Sequence, residues 1–238
     1  MNTDTTAACY KRHRFPPAII SHAVWLYFRF TLSYRDVEQM LAQRGITVSY
    51  EAIRCWCRKF GHVFAKKIRA QRHRPGDRWH VDEVFLTISG KRHYLFRAVD
   101  QDGEVLDIVL QSKRNKKAAK RFFRKLLKKQ GYVPRSLVTD KLRSYGAARQ
   151  ELLRSVEHRR GKRANNRVEN SHQPTRQRER QMRRFKSAGQ AQQFLSAHGP
   201  IYSFFHPGRH LMQAGYYRQL LGRQFAAWDT LTGLSTLS

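Results

Sequence analysis

Three acidic residues sit in local contexts that suit catalysis: Asp82 within Trp-His-Val-Asp-Glu-Val, Asp140 within Leu-Val-Thr-Asp-Lys, and Glu169 within Asn-Asn-Arg-Val-Glu-Asn. The chain has 47 Lys and Arg against 17 Asp and Glu, so carboxylates at strand ends and on an Arg-rich helix need a reason. The simplest is a divalent metal. Magnesium is a hard ion that takes oxygen ligands in octahedral geometry and keeps several waters. Two such ions about 3.5 to 4 Å apart can activate a water or a 3′-hydroxyl and stabilise the leaving oxygen of an in-line displacement at phosphorus. Three acids on three elements are the least that such chemistry asks of the protein.

Alternation along the first strand puts His80, Asp82 and Val84 on one face and Val81 and Glu83 on the other. Asp82 then lies mid-strand, where an uncompensated charge is costly to bury. A metal would offset that cost, and so would a neighbouring Arg or an edge position. Asp140 closes a short strand at its carboxyl end, the place where open α/β sheets gather ligands. Glu169 follows 29 positions later, with His172 and Arg176 at offsets of three and seven on the same helical face. A basic residue beside a metal-binding acid can hold a phosphate. Glu83, Asp100, Asp102 and Asp107 are competing carboxylates, ranked below the trio; the last three read as turn or strand-end residues.

The elements that must position these acids are legible in outline. Trp79–Ile88, Tyr94–Val99 and Val105–Leu110 are β-prone runs separated by Ser89-Gly90 and by Asp100-Gln101-Asp102-Gly103, an antiparallel meander. From Lys116 to Lys129 the period changes: Ala119, Phe122, Phe123, Leu126 and Leu127 line one face of an amphipathic helix. Ser136–Thr139 is a short buried strand ending at Asp140. A helix is expected around Ala147–Leu153, a short strand near Val156–Arg159, and a helix from Asn165 or Asn166. Three antiparallel strands, a crossover helix and a parallel strand are the order of an α/β ribonuclease-H-like core.

Ahead of this core the chain reads as helices. Ile20, Val24, Tyr27 and Phe28 recur at helical spacing after Pro16 and Pro17. Ser33 with Asp36 resembles a capping box, and Tyr34, Val37, Met40 and Leu41 line one face as far as Gly45. After Ser49, the residues Ile53, Trp56, Phe60 and Phe64 form a stripe while Arg54 and Arg58 project elsewhere. That is a small all-α helix-turn-helix domain, whose second helix would enter a DNA major groove. The plainer alternative is a helical hairpin with solvated arginines. The basic stretch Ala65–Asp77 reads as a linker that touches phosphates, and the aromatic C-terminal region as helices packed on the core. The expected organisation is 1–70 helix-turn-helix with linker to about 77, 78–195 core, and 196–238 helical extension.

Composition narrows the partner. A formal charge of +30 over 238 residues with 40% apolar residues describes a folded protein with strong self-repulsion. Nucleic acid is the polyanion that neutralises it in bulk. Lys113–Lys129 carries ten basic residues and no acid, and Arg159–Arg184 ten more with only Glu169 and Glu179. Their expected work is salt-sensitive gripping of phosphates. No uncharged apolar run approaches the roughly 18 residues of a membrane span, and no signal peptide is evident, so a cytoplasmic protein is expected, with no membrane partner. Cys9, Cys55 and Cys57 match neither a disulfide framework nor a paired zinc motif and read as reduced.

Taken together, Trp79-His80-Val81-Asp82-Glu83, Tyr94-Leu95-Phe96-Arg97-Ala98-Val99-Asp100, Ser112-Lys113-Arg114-Asn115-Lys116-Lys117-Ala118-Ala119, Thr139-Asp140-Lys141, Arg163-Ala164-Asn165-Asn166-Arg167-Val168-Glu169 and Ser33-Tyr34-Arg35-Asp36-Val37 resemble the DDE transposases of bacterial insertion sequences. The likeness is greatest to the insertion-sequence six family, with its integrase core, and covers about 14–190. It implies a recombinase that binds its element's terminal inverted repeats, cuts there and joins the freed 3′-hydroxyls to target DNA. Asp82, Asp140 and Glu169 match the metal-binding acids and Arg176 the basic residue seven positions on. Two Mg2+ ions are implied, replaceable by Mn2+, and a homodimer or larger assembly to bring two ends together. Expected contacts to double-stranded DNA are Ser49, Arg54, Arg58, Lys113, Arg114, Lys116, Lys117, Arg163 and Arg167. The chain departs from the family pattern in a short Asp140–Glu169 spacing and in Pro174, which would kink its helix or delay its start. The competing readings are a catalytically silent DNA-binding descendant and an RNA-binding protein; the latter leaves the spaced carboxylates unexplained.

Overall fold

The computed structural model describes residues 9–72, 74–140, 143–161, 166–207 and 212–234, with the side chains of Asn166, Arg167 and Glu169 outside the described set. Strands β1 (Arg78–Ile88), β2 (Lys91–Val99) and β3 (Val105–Gln111) form the expected antiparallel meander. The first turn is the two-residue link Ser89-Gly90, with φ of 49° and 75°. Positive φ at both positions matches the twist of the flanking strands, which is why a glycine belongs there. Helix α4 (Lys116–Gln130) returns the chain to β4 (Ser136–Thr139), which lies parallel to β1. Helix α5 (Arg143–Leu152) and strand β5 (Glu157–Arg160) follow, completing a sheet of order β3-β2-β1-β4-β5. β5 sits at the edge and carries Glu157, Arg159 and Arg160 exposed, charges that discourage further pairing. This is an α/β ribonuclease-H-like core.

One face of the sheet is dry. Trp79, Val81, Phe96, Ala98 and Leu137 meet Phe122, Phe123 and Leu126 of α4 and Tyr145 and Ala148 of α5. Each fully buried aromatic or aliphatic side chain contributes about 1.5–3 kcal/mol of transfer free energy. α4 is fixed at both ends, by the Asn115 side chain accepting from the Ala118 N–H at 2.9 Å and by Gly131 at φ 73°. Helix α6 (Asn166–Gln181) packs against β1 and β2, and its buried residues Val168, His172, Thr175 and Arg178 recur at helical spacing. Pro174 lies inside α6, so the helix neither starts later nor stops there. Asp107 is not a strand-end residue as expected: it is buried within β3 and pairs with Lys125 and Lys129 of α4 at 3.3 and 2.8 Å.

The chain divides into two units, Met1–Arg72 with Ser196–Ser238, and His73–Leu195. Helix α7 (Ala188–Phe204) runs across that boundary. In the helical unit, α1 (Pro17–Arg29), α2 (Tyr34–Ala42) and α3 (Tyr50–Gln71) pack on one another. The capping box is present: the Ser33 N–H donates to Asp36 Oδ2 at 2.7 Å and the Asp36 N–H to Ser33 Oγ at 3.1 Å. The stripe Ile53, Trp56, Phe60 and Phe64 is buried, whereas Met40, expected on the apolar face of α2, is exposed. α3 extends to Gln71, so the first half of the expected linker is helix, held by the buried Ala65 and Ile68.

The C-terminal segment corrects a sequence expectation. It does not form an extension of the α/β core but groups with the N-terminal helices. The reason is aromatic: Trp228 of α8 (Ala214–Thr232) meets Phe64 and Phe205 at 5.1 and 5.4 Å, and Phe225 meets Trp25 at 5.4 Å, edge-on or tilted as ring quadrupoles prefer. None of the three cysteines is in a disulfide, and no described helix is long and apolar enough to cross a membrane.

Histidines of the helical unit set its acid response. Burial lowers the pKa of His22, with the Arg44 charge adding to it; burial and Arg69 do the same to His62, and burial and Arg29 to His206. The unfolded chain therefore binds more protons once pH falls below about 6.5, so stability present above that value is lost as pH drops. Hydrogen exchange in α1–α3 and α8 should be unchanged between about pH 8 and 7 and accelerate, after correction for intrinsic rates, towards pH 5. Constant protection down to pH 5 would contradict this.

Candidate active site

β1 continues past the end of its parallel neighbour. β4 pairs with Arg78–Val81 only, the last pair being Val81 with Thr139, so Asp140 leaves the sheet beside Asp82. Carboxylate oxygens of Asp82, Glu83 and Asp140 come within 4.8 Å of one another, a grouping able to hold a metal ion. Glu83 is the member that sequence parity assigned to the opposite face. Its carboxylate accepts from the Tyr145 hydroxyl and pairs with Arg114 Nε at 2.5 Å, while Arg114 Nη2 lies 3.9 Å from Asp140 Oδ2. Burial pushes the Glu83 carboxyl up to about 7; Tyr145 and Arg114 oppose the shift, and the charges of Asp140 and Asp82 add to it. This crowding of acids is a local negative excess in a strongly basic chain. An all-oxygen donor set of that kind fits a hard divalent cation.

Helix α6 carries the third expected acid. The backbone of Glu169 lies in α6, and three residues on, His172 Nε2 stands 3.8 Å from Asp82 Oδ2. His172 is buried and held neutral, its pKa lowered by burial and then by the charges of Arg97 and Arg176. The sequence reading placed Glu169, His172 and Arg176 on one face. In the structure His172 belongs to the buried stripe, and Arg176 is exposed on the flank that Glu169's position shares.

A further residue anchors this helix. Arg97 of β2 stands opposite Asp82 in the register and is only 2% exposed. Its guanidinium donates to the Ser171 carbonyl and to Thr175 Oγ1 at 2.6 Å, bracketing Pro174. Burial lowers its pKa to about 10, still far above neutrality, so it is charged. A lone Arg inside the apolar run Tyr-Leu-Phe-Arg-Ala-Val was the available signal, and helical periodicity alone did not pair it with α6.

The expected DNA contacts fall into groups. Ser49 caps α3 by accepting from the Ala52 N–H at 3.4 Å. Arg54 pairs with Glu51 at 2.6 Å, and Arg58 is exposed. Lys113 and Lys117 are exposed, Arg114 joins the acid cluster, and Lys116 pairs with Glu151. Arg163 and the side chains of Arg167 and Glu169 lie outside the described residues.

The chain is similar in sequence to known transposases. A family model described as a DDE domain matches residues 76–206. The transposase for insertion sequence-like element IS431mec of Staphylococcus aureus strain Mu50 is 28% identical over 209 residues, covering 86% of this chain and 92% of that one. The transposase for insertion sequence element IS257 in transposon Tn4003 of Staphylococcus aureus has the same identity and coverage. Among solved structures, the simian T-cell lymphotropic virus intasome in complex with PP2A regulatory subunit B56 gamma has a TM-score of 0.41 at 13% identity, over 57% of this chain and 51% of that chain. With its integrase-type core and an acid cluster where β1 and β4 meet, the chain belongs to the DDE transposases of bacterial insertion sequences, in the insertion-sequence six family.

Proposed function

We propose that this transposase binds the terminal inverted repeats of its own element and cleaves and joins DNA strands as a polynucleotidyl transferase, with Asp82, Asp140 and Glu169 holding divalent metal. The observation that carries this reading is the convergence of Asp82 and Asp140 at the point where β4 ends, with Asp82 facing the helix that bears Glu169. Bound Mg2+, or Mn2+ in its place, would activate the attacking oxygen and stabilise the leaving one. Asp82 and Asp140 would supply carboxylate oxygens, joined by Glu169, a residue of α6. Neutral His172 lies 3.8 Å from Asp82 Oδ2 and leaves its negative charge available to the metal. Arg176, exposed on the same helix, would hold a phosphate.

Joining two element ends to one target requires at least two active sites, so the working form is a homodimer or larger assembly on double-stranded DNA. The test uses the purified full chain with a labelled duplex taken from the DNA flanking its gene, in Mg2+, Mn2+ or EDTA. Nicked and joined products that require the metal support the reading; binding without products in either metal identifies a silent DNA-binding descendant instead.

Helix α3 is the proposed reader of the repeat, entering the major groove as the second helix of the α2–α3 pair. Arg54 is engaged by Glu51, whereas Arg58 is exposed. Arg58→Ala should therefore reduce the preference for the end sequence about five- to 150-fold, on the order of 1–3 kcal/mol for a base contact, and Arg54→Ala by less. Competition binding against a scrambled duplex reads the difference, and an unchanged ratio in the Arg54, Arg58 double variant would remove α3 as the reader.

A further inference from the structure

Helix α4 carries eight Lys and Arg and no acid, and its cations divide by partner. At 3.6 residues per turn, Lys117, Arg121, Arg124 and Lys128 fall within about 60° of one another, on the side directly opposite the buried Ala119, Phe122, Phe123 and Leu126. The flanks of this crest are already neutralised. On one side Lys116 and Lys120 share Glu151, whose carboxyl is pulled down to about 2 by those two ammonium groups. On the other, Lys125 and Lys129 share Asp107. The crest cations are exposed and have no acidic partner among the described residues. Lys113, Lys117, Arg121 and Arg124, together with the acid-paired Lys116 and Lys120, line a wide concavity that also includes His93 and Gln111. Lys113 and Asn115, the chain neighbours of Arg114, belong to its lining.

From this partition we infer that the α4 crest is a rail for the phosphate backbone of the target duplex, gripped without regard to sequence. The inference rests on the transposase reading for the identity of the polyanion. The crest residues succeed one another at rises of about 6, 4.5 and 6 Å, so four long cationic side chains span about 16 Å. A DNA strand offers a phosphate about every 3.4 Å along its axis, so each crest residue can find its own phosphate. Lys and Arg on phosphates carry no sequence information, which suits a target of any sequence and not an end that must be recognised. Lys116, Lys120, Lys125 and Lys129 are set apart from the rail, because each already shares a carboxylate and would weaken that pairing to take up a phosphate.

The experiment measures affinity of the full chain against salt for two duplexes, one of random sequence and one copying the element end. It compares wild type, the crest variant Lys117→Gln, Arg121→Gln, Arg124→Gln, and the flank variant Lys116→Gln, Lys120→Gln. All five positions lie on the protein surface, and thermal melting checks the fold. With random duplex, the crest variant should lower the slope of log K against log salt by about 2.7, at about 0.9 per lost phosphate contact, and the flank variant should leave it within about 0.5 of wild type. With end duplex the slope should fall by less than one contact, so that end preference rises. An unchanged slope in the crest variant, an equal loss in the flank variant, or an equal loss on both duplexes each overturns the assignment. Metal-dependent nicking by wild type is measured alongside. Its absence would sink the transposase reading, while the slopes still decide whether the crest grips DNA.

Discussion

Asp82→Asn should abolish strand cleavage and joining while leaving duplex binding and the fold intact. The substitution removes one carboxylate oxygen ligand and a full negative charge from the place where the metal that balances charge developing on the phosphoryl oxygens would be held. Charge stabilisation by bound metal is worth several kcal/mol, so the rate should fall on the order of a thousandfold. Stability should move the other way. Asp82 sits among Glu83 and Asp140, and their mutual repulsion helps hold the Glu83 carboxyl up at about 7. Replacing one of three crowded acids with a neutral isostere relieves repulsion, so the melting temperature should stay level or rise slightly. Nicking of a labelled end duplex, read beside a thermal melt and a binding isotherm, separates the cases. Lost activity with a melting point several degrees lower would make the effect structural; full activity would remove Asp82 from the site.

Much of that site could be read before any coordinates. Alternating β1–β3 followed by a helix and the short strand Ser136–Thr139 fixes a parallel β4 next to β1, and with it the approach of Asp140 to Asp82. Caps were equally local: Ser33 with Asp36, Asn115, and Gly131 act within a few residues of themselves. Glu83 was harder because strand parity puts it on the face opposite Asp82, and parity alone does not say where the neighbouring strand ends. β4 stops at Thr139, so beyond Val81 the strand has an open edge there, and both Asp82 and Glu83 reach Asp140. Nor does aromatic content say which unit a segment joins. Trp228 and Phe205 would suit any apolar surface, and only the tertiary fold places them on Phe64. Arg97 is the same case for a charge, since its partners Ser171 and Thr175 are 74 and 78 residues away.

That long-range anchor should govern the order of α6. Pro174 lacks an N–H and crowds the Asn170 carbonyl, a defect that costs about 3 kcal/mol in a helix interior. Arg97 braces the helix on both sides of the defect, through the Ser171 carbonyl and Thr175 Oγ1. Hydrogen bonds to a charged group contribute about 1.5–3 kcal/mol each, and a buried guanidinium stripped of an acceptor is costlier still. Thr175→Val keeps shape and removes one acceptor, so it should destabilise the α/β unit by about 2 kcal/mol, and Thr175→Ser should recover most of that. Arg97→Lys should cost more, since a point-like ammonium on a shorter stem does not span both acceptors. Pro174→Ala should act in the opposite direction, and in combination with Thr175→Val it should cancel part of the loss, because an intact helical hydrogen bond lessens the need for a brace. Amide exchange over Asn166–Gln181, compared with Lys116–Gln130, provides the measurement. Faster exchange confined to α6, with slower nicking at unchanged duplex affinity, is expected, because Glu169 and Arg176 ride on that helix. If Thr175→Val left α6 protection unchanged, or loosened α4 as much, Arg97 would be an ordinary buried arginine and not the residue that seats α6 against Asp82.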